Sequence, residues 1–314
     1  MKVEFDSNAF EVGEGLSIAD AAARAGIKIP RLCNQKGVGH RAGCMVCAVY
    51  DAGLKSFVPS CATQVREGAS YECSTQRVLD FRKRALELLL TEHKGDCLAP
   101  CAKACPYGFD IPKFLELVTA KNFAAIDEML SLAPPCETCK ALCEKVCRKN
   151  LLGSPVKIKE QILKYKKPGA KILEKVKKAP RYTHNFGRPT KEELELLSKT
   201  TNDANGCLQC HCKKADSCIL RELATEMGLS QPKQVVSRKF DRARANGVVF
   251  ESGKCVLCSS CVELGGLAMR GRAMSASPDK PNGLSWKESL LKAHIKVCPT
   301  GALAEDLTWS EGDG

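Results

Sequence analysis

Residues 33–61 read CNQKGVGHRAGCMVCAVYDAGLKSFVPSC, and this stretch decides the fold of the N-terminal region. Its four cysteines are Cys33, Cys44, Cys47 and Cys61. Three of them lie on one loop, and the fourth follows a short predicted strand. Glycines at 37, 39 and 43 let the loop fold tightly, with its N–H groups pointing at sulfur atoms. The pattern predicts a [2Fe–2S] site, because zinc motifs usually pair two short Cys hooks instead.

The flanking residues predict a small mixed domain over residues 1–76. MKVEF and the segment near Phe10 have the pattern of paired strands. Ser17 and Asp20 form a helix-start box before AAARA, and Gly26 ends that helix. From Thr75 to His93, apolar residues recur at helical spacing, which predicts a connector helix.

A second cysteine group follows this helix. Its eight candidate ligands are His93, Cys97, Cys101, Cys105, Cys136, Cys139, Cys143 and Cys147. Eight ligands are enough for two [4Fe–4S] clusters, and the Cys105–Pro106 ending is typical of cubane sites. Asp110 with Pro112 in the first turn predicts a helix over KFLELV.

Two further groups lie in the last third of the chain. The third contains Cys207, Cys210, Cys212 and Cys218, with His211 as an outside candidate ligand. Four close cysteines also suit tetrahedral zinc, so a zinc knuckle is the alternative for this group. The fourth contains Cys255, Cys258, Cys261 and Cys298. Three cysteines at two-residue gaps with a distant Cys–Pro predict a [4Fe–4S] site.

The chain has 20 cysteines in 314 residues, and only Cys73 lies outside these groups. We expect Cys73 to be a buried free thiol. A disulfide framework is disfavoured because the N-terminus has no signal-peptide pattern and no apolar run could span a membrane. We therefore expect a cytoplasmic protein with metal-bound thiolates.

The ends of the chain resemble the large iron–sulfur subunit of complex I. GLSIADAAARAGIKIPRLC, AGCMVCAVYD and FVPSCATQVREG resemble its N-terminal [2Fe–2S] domain, a module that iron-only hydrogenases and NAD-linked formate dehydrogenases share. KCVLCSSC and KVCPTGAL resemble a later cluster motif. LELLLTEHKGDC resembles the segment in which a histidine precedes three cysteine ligands, which makes His93 a candidate ligand. The Cys207 group with ILRELATEMG resembles a C-x2-C-x5-C segment before a leucine-rich helix.

The middle of the chain resembles the N-terminal two-cluster domain of the small glutamate synthase subunit. CLAPCAKACPYGFDIPKFLELV and GSPVKIKEQI carry this resemblance, which extends to bifurcating transhydrogenases. It implies one cluster on Cys97, Cys101 and Cys147 and another on Cys105, Cys139 and Cys143. Each cluster then lacks one ligand, and the candidates are His93, Cys136 and Gln161.

The formal charge of +12 would by itself favour an acidic partner or nucleic acid. Each oxidised cluster on four thiolates carries about −2. Five clusters, one of them with a neutral histidine ligand, therefore subtract about nine charges and bring the loaded chain near +3. A zinc-and-cluster nucleic-acid-binding protein is therefore a remote alternative. Residues 166–199 are rich in lysine, which predicts a solvated linker or a docking segment for an acidic surface.

These patterns predict an α+β protein, with an N-terminal β-grasp [2Fe–2S] ferredoxin domain followed by mainly α-helical [4Fe–4S] domains. The expected boundaries are 1–76, 77–165, 166–199 and 200–314. The chain has no dinucleotide-binding motif, so we expect no flavin or nucleotide in it.

The resemblances imply an electron-transfer subunit with one [2Fe–2S] and about four [4Fe–4S] clusters. The implied partners are an NADH-oxidising FMN subunit, an FAD subunit that binds NADPH, and ferredoxin. A bifurcating transhydrogenase is the expected complex. The alternative is an electron-feeding subunit of a formate dehydrogenase or hydrogenase.

Overall fold

The structure is a computed structural model that describes residues 1–39, 41–153, 155–175, 181–185, 189–199, 205–232, 242–245, 247–264, 267–270, 273–276 and 288–309. The described strands are β1 (Lys2–Phe5), β2 (Asn8–Glu11), β3 (Ala48–Asp51), β4 (Ser56–Pro59), β5 (Ser70–Glu72), β6 (Leu132–Ala133), β7 (Lys171–Ile172), β8 (Arg242–Ala245), β9 (Val248–Glu251), β10 (Leu267–Arg270), β11 (Ala273–Ala276) and β12 (Leu303–Glu305). The described α-helices are α1 (Ile18–Arg24), α2 (Gln76–Glu92), α3 (Pro100–Ala104), α4 (Ile111–Thr119), α5 (Phe123–Leu130), α6 (Leu142–Lys145), α7 (Ile158–Tyr165), α8 (Lys191–Lys199), α9 (Ile219–Glu226), α10 (Ser260–Glu263) and α11 (Glu288–Val297). Short 3-10 helices cover Arg148–Leu152 and Ser252–Lys254.

The chain forms two compact units that alternate along the sequence. The first comprises Met1–His93, Ser217–Ser237 and Cys255–Thr300. The second comprises Lys94–Asp216, Arg238–Lys254 and Gly301–Gly314. The predicted domains, with boundaries at residues 76, 165 and 199, are continuous segments, whereas each unit combines three separate segments. The predicted boundaries stay predictions.

The first unit contains a five-stranded mixed sheet in the order β2-β1-β5-β3-β4. β1 pairs antiparallel with β2, which confirms the predicted strand pair, and runs parallel to β5. Ser17 caps α1 by accepting from the Asp20 N–H at 3.1 Å, and Gly26 follows the helix at a φ of +80°. Both ends of this helix are therefore as the sequence predicts. Phe5, Ile18 and Tyr71 lie fully buried in the core between sheet and helix.

The connector helix is also confirmed, as α2. It buries Val78, Leu86 and Leu90 on one face, as an amphipathic pattern requires. Its Phe81 ring stacks on Phe57 of β4 with the centroids 4.1 Å apart. The helix is therefore packed against the sheet that carries the first cysteine group.

The second unit has a helical core built from α4, α5 and α7. Asp110 caps α4 through the Lys113 N–H at 3.3 Å, with Pro112 in the first turn, so this predicted helix start is confirmed. Phe114, Ile126 and Ile158 are each at most 1% exposed in this core. A three-stranded antiparallel sheet, ordered β12-β9-β8, belongs to the same unit. The predicted α+β class is confirmed.

The linker predicted over residues 166–199 lies partly outside the described residues. Its described parts contain β7, which pairs parallel with β6, and α8. Of the helices that the structure describes, none combines the length and apolar character needed to cross a membrane.

Candidate metal centres

The first cysteine group converges in the first unit. The loop that carries Cys33, Cys44 and Cys47 joins α1 to β3, and Cys61 follows β4. All four side chains are buried, at 1–7% exposure. The Cys61 thiol is hydrogen-bonded to both Cys33 and Cys47, and Cys44 is hydrogen-bonded to Cys33. Thiols that the sequence separates by up to 28 positions therefore face one another.

The electrostatics of this group favour a cationic occupant. The hydrogen bond with Cys33 and burial raise the pKa of Cys44 and of Cys61. The hydrogen bond from Cys61 lowers the pKa of Cys47 to about 6. Four thiolates cannot share such a buried space unless a positive core compensates their charge, so the residues present fit an iron–sulfur core. The Val46 N–H also donates to Cys44, as expected for a loop that wraps a cluster.

The Cys255 group forms a second centre in the same unit. Leu257 and Ser259 adopt left-handed φ values of 55° and 63°, so the chain winds tightly between the three clustered cysteines. Burial, followed by the charges of Cys298, Cys255 and Cys258, raises the pKa of Cys261. The structure thus brings all four members of the predicted group together.

These two centres are neighbours. Ser260 Oγ donates to the Cys33 carbonyl oxygen at 2.9 Å, and this hydroxyl is fully buried. The Ser260 side chain and N–H also donate to Cys258. After burial and the charge of Cys298, the charge of Cys33 further raises the pKa of Cys258. A single serine therefore joins the loops of both centres.

A third centre lies in the second unit around a small pocket. Four cysteines contribute to its lining: Cys105, Cys136, Cys139 and Cys143. Phe109, Ile111 and Ile162 supply apolar walls. Burial raises the pKa of Cys136 to about 11 and that of Cys143 to about 12. Cys136, rather than Gln161, lines this cavity beside the three other cysteines.

A fourth centre surrounds another small pocket in this unit. Its cysteines are Cys101, Cys147, Cys207 and Cys210. Burial is the main cause that raises the pKa of Cys101, and the charges of Cys210, Cys147 and Cys143 add to it. The Cys105 N–H donates to the Cys101 carbonyl oxygen at 3.2 Å at the end of α3, so the third and fourth centres are also neighbours. The resemblance implied Cys97 beside Cys101 and Cys147, whereas this geometry places Cys207 and Cys210 there.

Buried ion pairs adjoin the fourth centre. Burial raises the pKa of Cys210 to about 11, while Arg148 and Arg242 oppose that rise. Arg148 pairs with Asp96, and Arg242 donates to Glu251 at 2.6 Å and 3.0 Å. Arg242 also donates to the carbonyl oxygens of residues 208 and 209, the first at 3.2 Å and the second at 3.0 Å, so it fixes the loop between Cys207 and Cys210.

Cys97 and Cys212 come together within the second unit. The Cys212 N–H donates to the Cys97 carbonyl oxygen at 3.4 Å. Gly301 lies so close to Cys212 that an added Cβ would overlap the thiol. Lys254 pairs with Glu251 and donates to the His211 carbonyl oxygen at 3.0 Å. Burial opposes a raised pKa for Lys254, but the charge of Glu251 and then that of Cys212 raise it.

The two remaining sequence-predicted ligands are described within the first unit. His93 ends α2 as its C-cap residue and is 5% exposed. Cys218 is the N-cap residue of α9, and its thiol donates to the Pro299 carbonyl oxygen at 3.8 Å. His211 is buried, and burial lowers its pKa. Iron binding by His93, Cys218 and His211 stays a prediction.

Sequence reasoning missed the role of residues 181–185 within the predicted linker. The His184 N–H donates to Cys97 Sγ at 3.3 Å, and the Cys97 N–H donates to the His184 carbonyl oxygen at 3.0 Å. Tyr182 Oη lies 2.9 Å from His184 Nδ1, and both side chains are buried. Two aromatic side chains two positions apart inside a lysine-rich segment were the available signal.

Cys73 is a buried free thiol, as predicted, at 1% exposure. Burial and the charge of Asp6 raise its pKa to about 12.

Within the described part of the chain, no three His, Cys, Asp or Glu side chains are grouped as ligands of a metal ion.

Comparison with known proteins bears on the first centre. Residues 1–76 match the family model described as the 2Fe-2S iron-sulfur cluster binding domain. Residues 1–76, about a quarter of the chain, are therefore similar to that domain family. The sheet, α1 and the first cysteine group all lie within the matched residues. The assignment of these four cysteines as ligands stays a prediction.

Curated relatives extend the similarity beyond the [2Fe–2S] domain. The NADP-reducing hydrogenase subunit HndD of Solidesulfovibrio fructosivorans is 30% identical over 168 residues, which is 46% of this chain and 28% of that protein. The NADH-ubiquinone oxidoreductase 75 kDa subunit of Reclinomonas americana is 33% identical over 97 residues, 31% of this chain and 14% of that protein. The NADPH-Fe(3+) oxidoreductase subunit alpha of Geobacter sulfurreducens is 33% identical over 97 residues, covering 31% and 12%.

These relatives confirm the resemblance to complex I-type iron–sulfur subunits. The chain spans less than a third of the length of each of these relatives. One chain of a NAD+-reducing [NiFe]-hydrogenase crystal structure has a similar fold over 97% of this chain and 86% of its own length, with a TM-score of 0.52 at 16% identity. The resemblance of the middle region to glutamate synthase stays a prediction.

Proposed function

We propose that this chain is a multi-cluster electron-transfer subunit of an NAD(P)H-linked oxidoreductase complex. The observation that carries the proposal is the arrangement of four-cysteine centres as neighbours, two in each unit. Ser260 joins the two centres of the first unit, and α3 carries Cys101 of one centre one turn before Cys105 of the other in the second unit. Bound clusters would each accept and release single electrons, whereas the chain fixes their spacing and their surroundings.

The proposed cofactors are one [2Fe–2S] cluster and four [4Fe–4S] clusters. The β-grasp domain would hold the [2Fe–2S] cluster on Cys33, Cys44, Cys47 and Cys61. Three [4Fe–4S] clusters would use the Cys255 group, the cavity with Cys105 and Cys136, and the cavity with Cys101 and Cys207. Cys136 supports a full set of four thiolates in its cavity, so that cluster needs no glutamine ligand.

Cys97 and Cys212, both in the second unit, are two proposed ligands of the remaining cluster. Their backbones are hydrogen-bonded, and the His184 N–H donates to the Cys97 sulfur as hydrogen bonds to cluster ligands do. His93 stands four residues before Cys97, and Cys218 stands six residues after Cys212. Both stay predicted ligands from the sequence.

The proposed partners are flavoproteins. An NADH-oxidising FMN subunit and an FAD subunit that binds NADPH would supply or collect electron pairs, which the clusters would carry one at a time. We propose a cytoplasmic complex, with ferredoxin as a further partner and a bifurcating transhydrogenase as its activity. A hydrogenase or formate dehydrogenase complex is the second candidate, favoured by the name of the hydrogenase relative.

Purification of the native complex without oxygen distinguishes these candidates. The transhydrogenase proposal predicts FMN and FAD with the chain, and cluster reduction by NADH or NADPH. Molybdenum or hydrogen-dependent cluster reduction would replace it with the second candidate. Strongly salt-dependent binding to nucleic acid, with no reduction by any nicotinamide, would contradict the electron-transfer function.

A further inference from the structure

Arg82 is a buried cation beside the [2Fe–2S] centre, and it is not one of the proposed ligands. It lies on α2 and is only 3% exposed, whereas Lys83 and Arg84 next to it are exposed. Burying a guanidinium without full compensation costs free energy. Arginine on a helix face is ordinarily solvated, so the burial of Arg82 needs a specific explanation.

The contacts of Arg82 direct it at the cysteine loop. Its Nε donates to the carbonyl oxygen of Ala48 at 2.7 Å, and Ala48 is the residue that follows Cys47. Its Nη2 is buried, and among the residues that the structure describes it has no hydrogen-bond partner. A buried N–H donor beside a cluster ligand is suited to a sulfur acceptor.

The charges around Arg82 agree with this geometry. Burial lowers the pKa of Arg82, and the neighbouring Cys73, Cys47 and Asp6 raise it. Cys47 is therefore close enough for its charge to act on the guanidinium. The Asp6 carboxylate is engaged elsewhere, because it accepts from the Cys73 N–H at 2.7 Å and from the Ser74 N–H at 3.2 Å.

We propose that Arg82 raises the reduction potential of the [2Fe–2S] cluster, through its buried positive charge and through the Nη2 donor, which would be available to an inorganic sulfide of the bound cluster. Reduction adds one electron and makes the centre more negative. A fixed cation in a low-dielectric environment stabilises that added charge, and donors to sulfur act in the same direction. This inference rests on the proposed electron-transfer function. Arg82, which is not a ligand, would then help to set the reduction potential of this cluster relative to its neighbours in the electron path.

The test compares three variants of the full chain, prepared without oxygen. Arg82→Met removes the charge and the donor, Arg82→Lys keeps the charge, and Arg84→Met removes an exposed charge from the same helix as the matched control. The readout is the midpoint potential of the [2Fe–2S] signal in an EPR-monitored redox titration. We expect Arg82→Met to shift the potential to a more negative value, Arg82→Lys to shift it less, and Arg84→Met to leave it unchanged.

A loaded Arg82→Met protein with the wild-type potential would overturn the inference, even if its stability were lower. If Arg82→Met does not fold, Arg82→Gln decides, since its side-chain amide can still donate to the Ala48 carbonyl oxygen while the positive charge is lost. Arg82→Gln should shift the potential to a more negative value, and an unchanged potential would overturn the inference. Absence of any [2Fe–2S] signal from the wild-type chain would instead refute the proposed function.

Discussion

Replacement of Gly301 by alanine should remove one [4Fe–4S] cluster and leave the others in place. Gly301 is buried, and a Cβ at this position would lie far inside the van der Waals contact distance to Cys212 Sγ. The backbone beside it is held, because the Glu251 N–H donates to the Ala302 carbonyl oxygen at 2.8 Å. The thiol of Cys212, rather than the main chain, must therefore move.

The size of that movement decides the outcome. Carbon and sulfur pack without overlap at about 3.5 Å or more, so the Cys212 thiol must retreat by more than about 1 Å. Metal–ligand distances tolerate changes of only about 0.2 Å. Cys212 would therefore no longer reach its cluster. Overpacking of this kind should also lower the free energy of unfolding by about 1–3 kcal/mol.

The assay is anaerobic iron and sulfide analysis, together with EPR of the dithionite-reduced protein. Gly301→Ala should lose about four irons per chain and retain the [2Fe–2S] signal. Gly43→Ala is the matched control, because it also adds a methyl group near a ligand, Cys44, but its Cβ would meet nothing within 4 Å. A Gly301→Ala protein with full iron and unchanged spectra would refute the assignment of Cys212.

Three further results are expected. Cys136→Ser should lose about four irons per chain, whereas Gln161→Ala should lose none. Iron analysis that finds the same content in both variants would contradict the role of Cys136. Lys254→Met should lower the free energy of unfolding by about 3 kcal/mol because Glu251 loses a buried partner. Denaturant titration of the cluster-free chain measures this change, and a value near zero would contradict the prediction. Burial would raise the pKa of Glu251, but Lys254 and Arg242 lower it to about 2. Its stabilising contribution is therefore complete above its ordinary pKa of 4.5 and disappears as the pH falls toward 2, and Glu251→Gln should flatten that part of a stability–pH curve.

The N-terminal region could be predicted from sequence because its signals are local. The cap between Ser17 and Asp20, the turn at Gly26 and the spacing of the first four cysteines each specify structure within a few residues. The family match over residues 1–76 agrees with that prediction. Likewise, Asp110 marks its helix start without help from tertiary contacts.

The grouping of the middle cysteines could not be predicted in this way. Cys101 and Cys147 share their cavity with Cys207 and Cys210, which lie at least 60 positions further along the chain. Such pairing is set by how helices pack, and no local spacing records it. One sequence signal was available. Five residues lie between Cys212 and Cys218, as between the last two cysteines of the C-x2-C-x5-C segment, and this spacing groups them apart from Cys207 and Cys210.

The lysine-rich segment shows a second limit of sequence reasoning. Its charge predicted a solvated linker, and Lys171 and Lys191 are indeed exposed. Tyr182 and His184 are nevertheless buried, and the main chain of His184 binds Cys97. A charge average over a segment conceals the two or three residues that make its contacts.

The most direct test of the account is the content of iron, acid-labile sulfide and zinc in the chain purified without oxygen. One [2Fe–2S] and four [4Fe–4S] clusters predict about eighteen irons per chain with negligible zinc. About fourteen irons with one zinc would make one of the four-cysteine centres structural. Mostly zinc in native material would contradict the electron-transfer account.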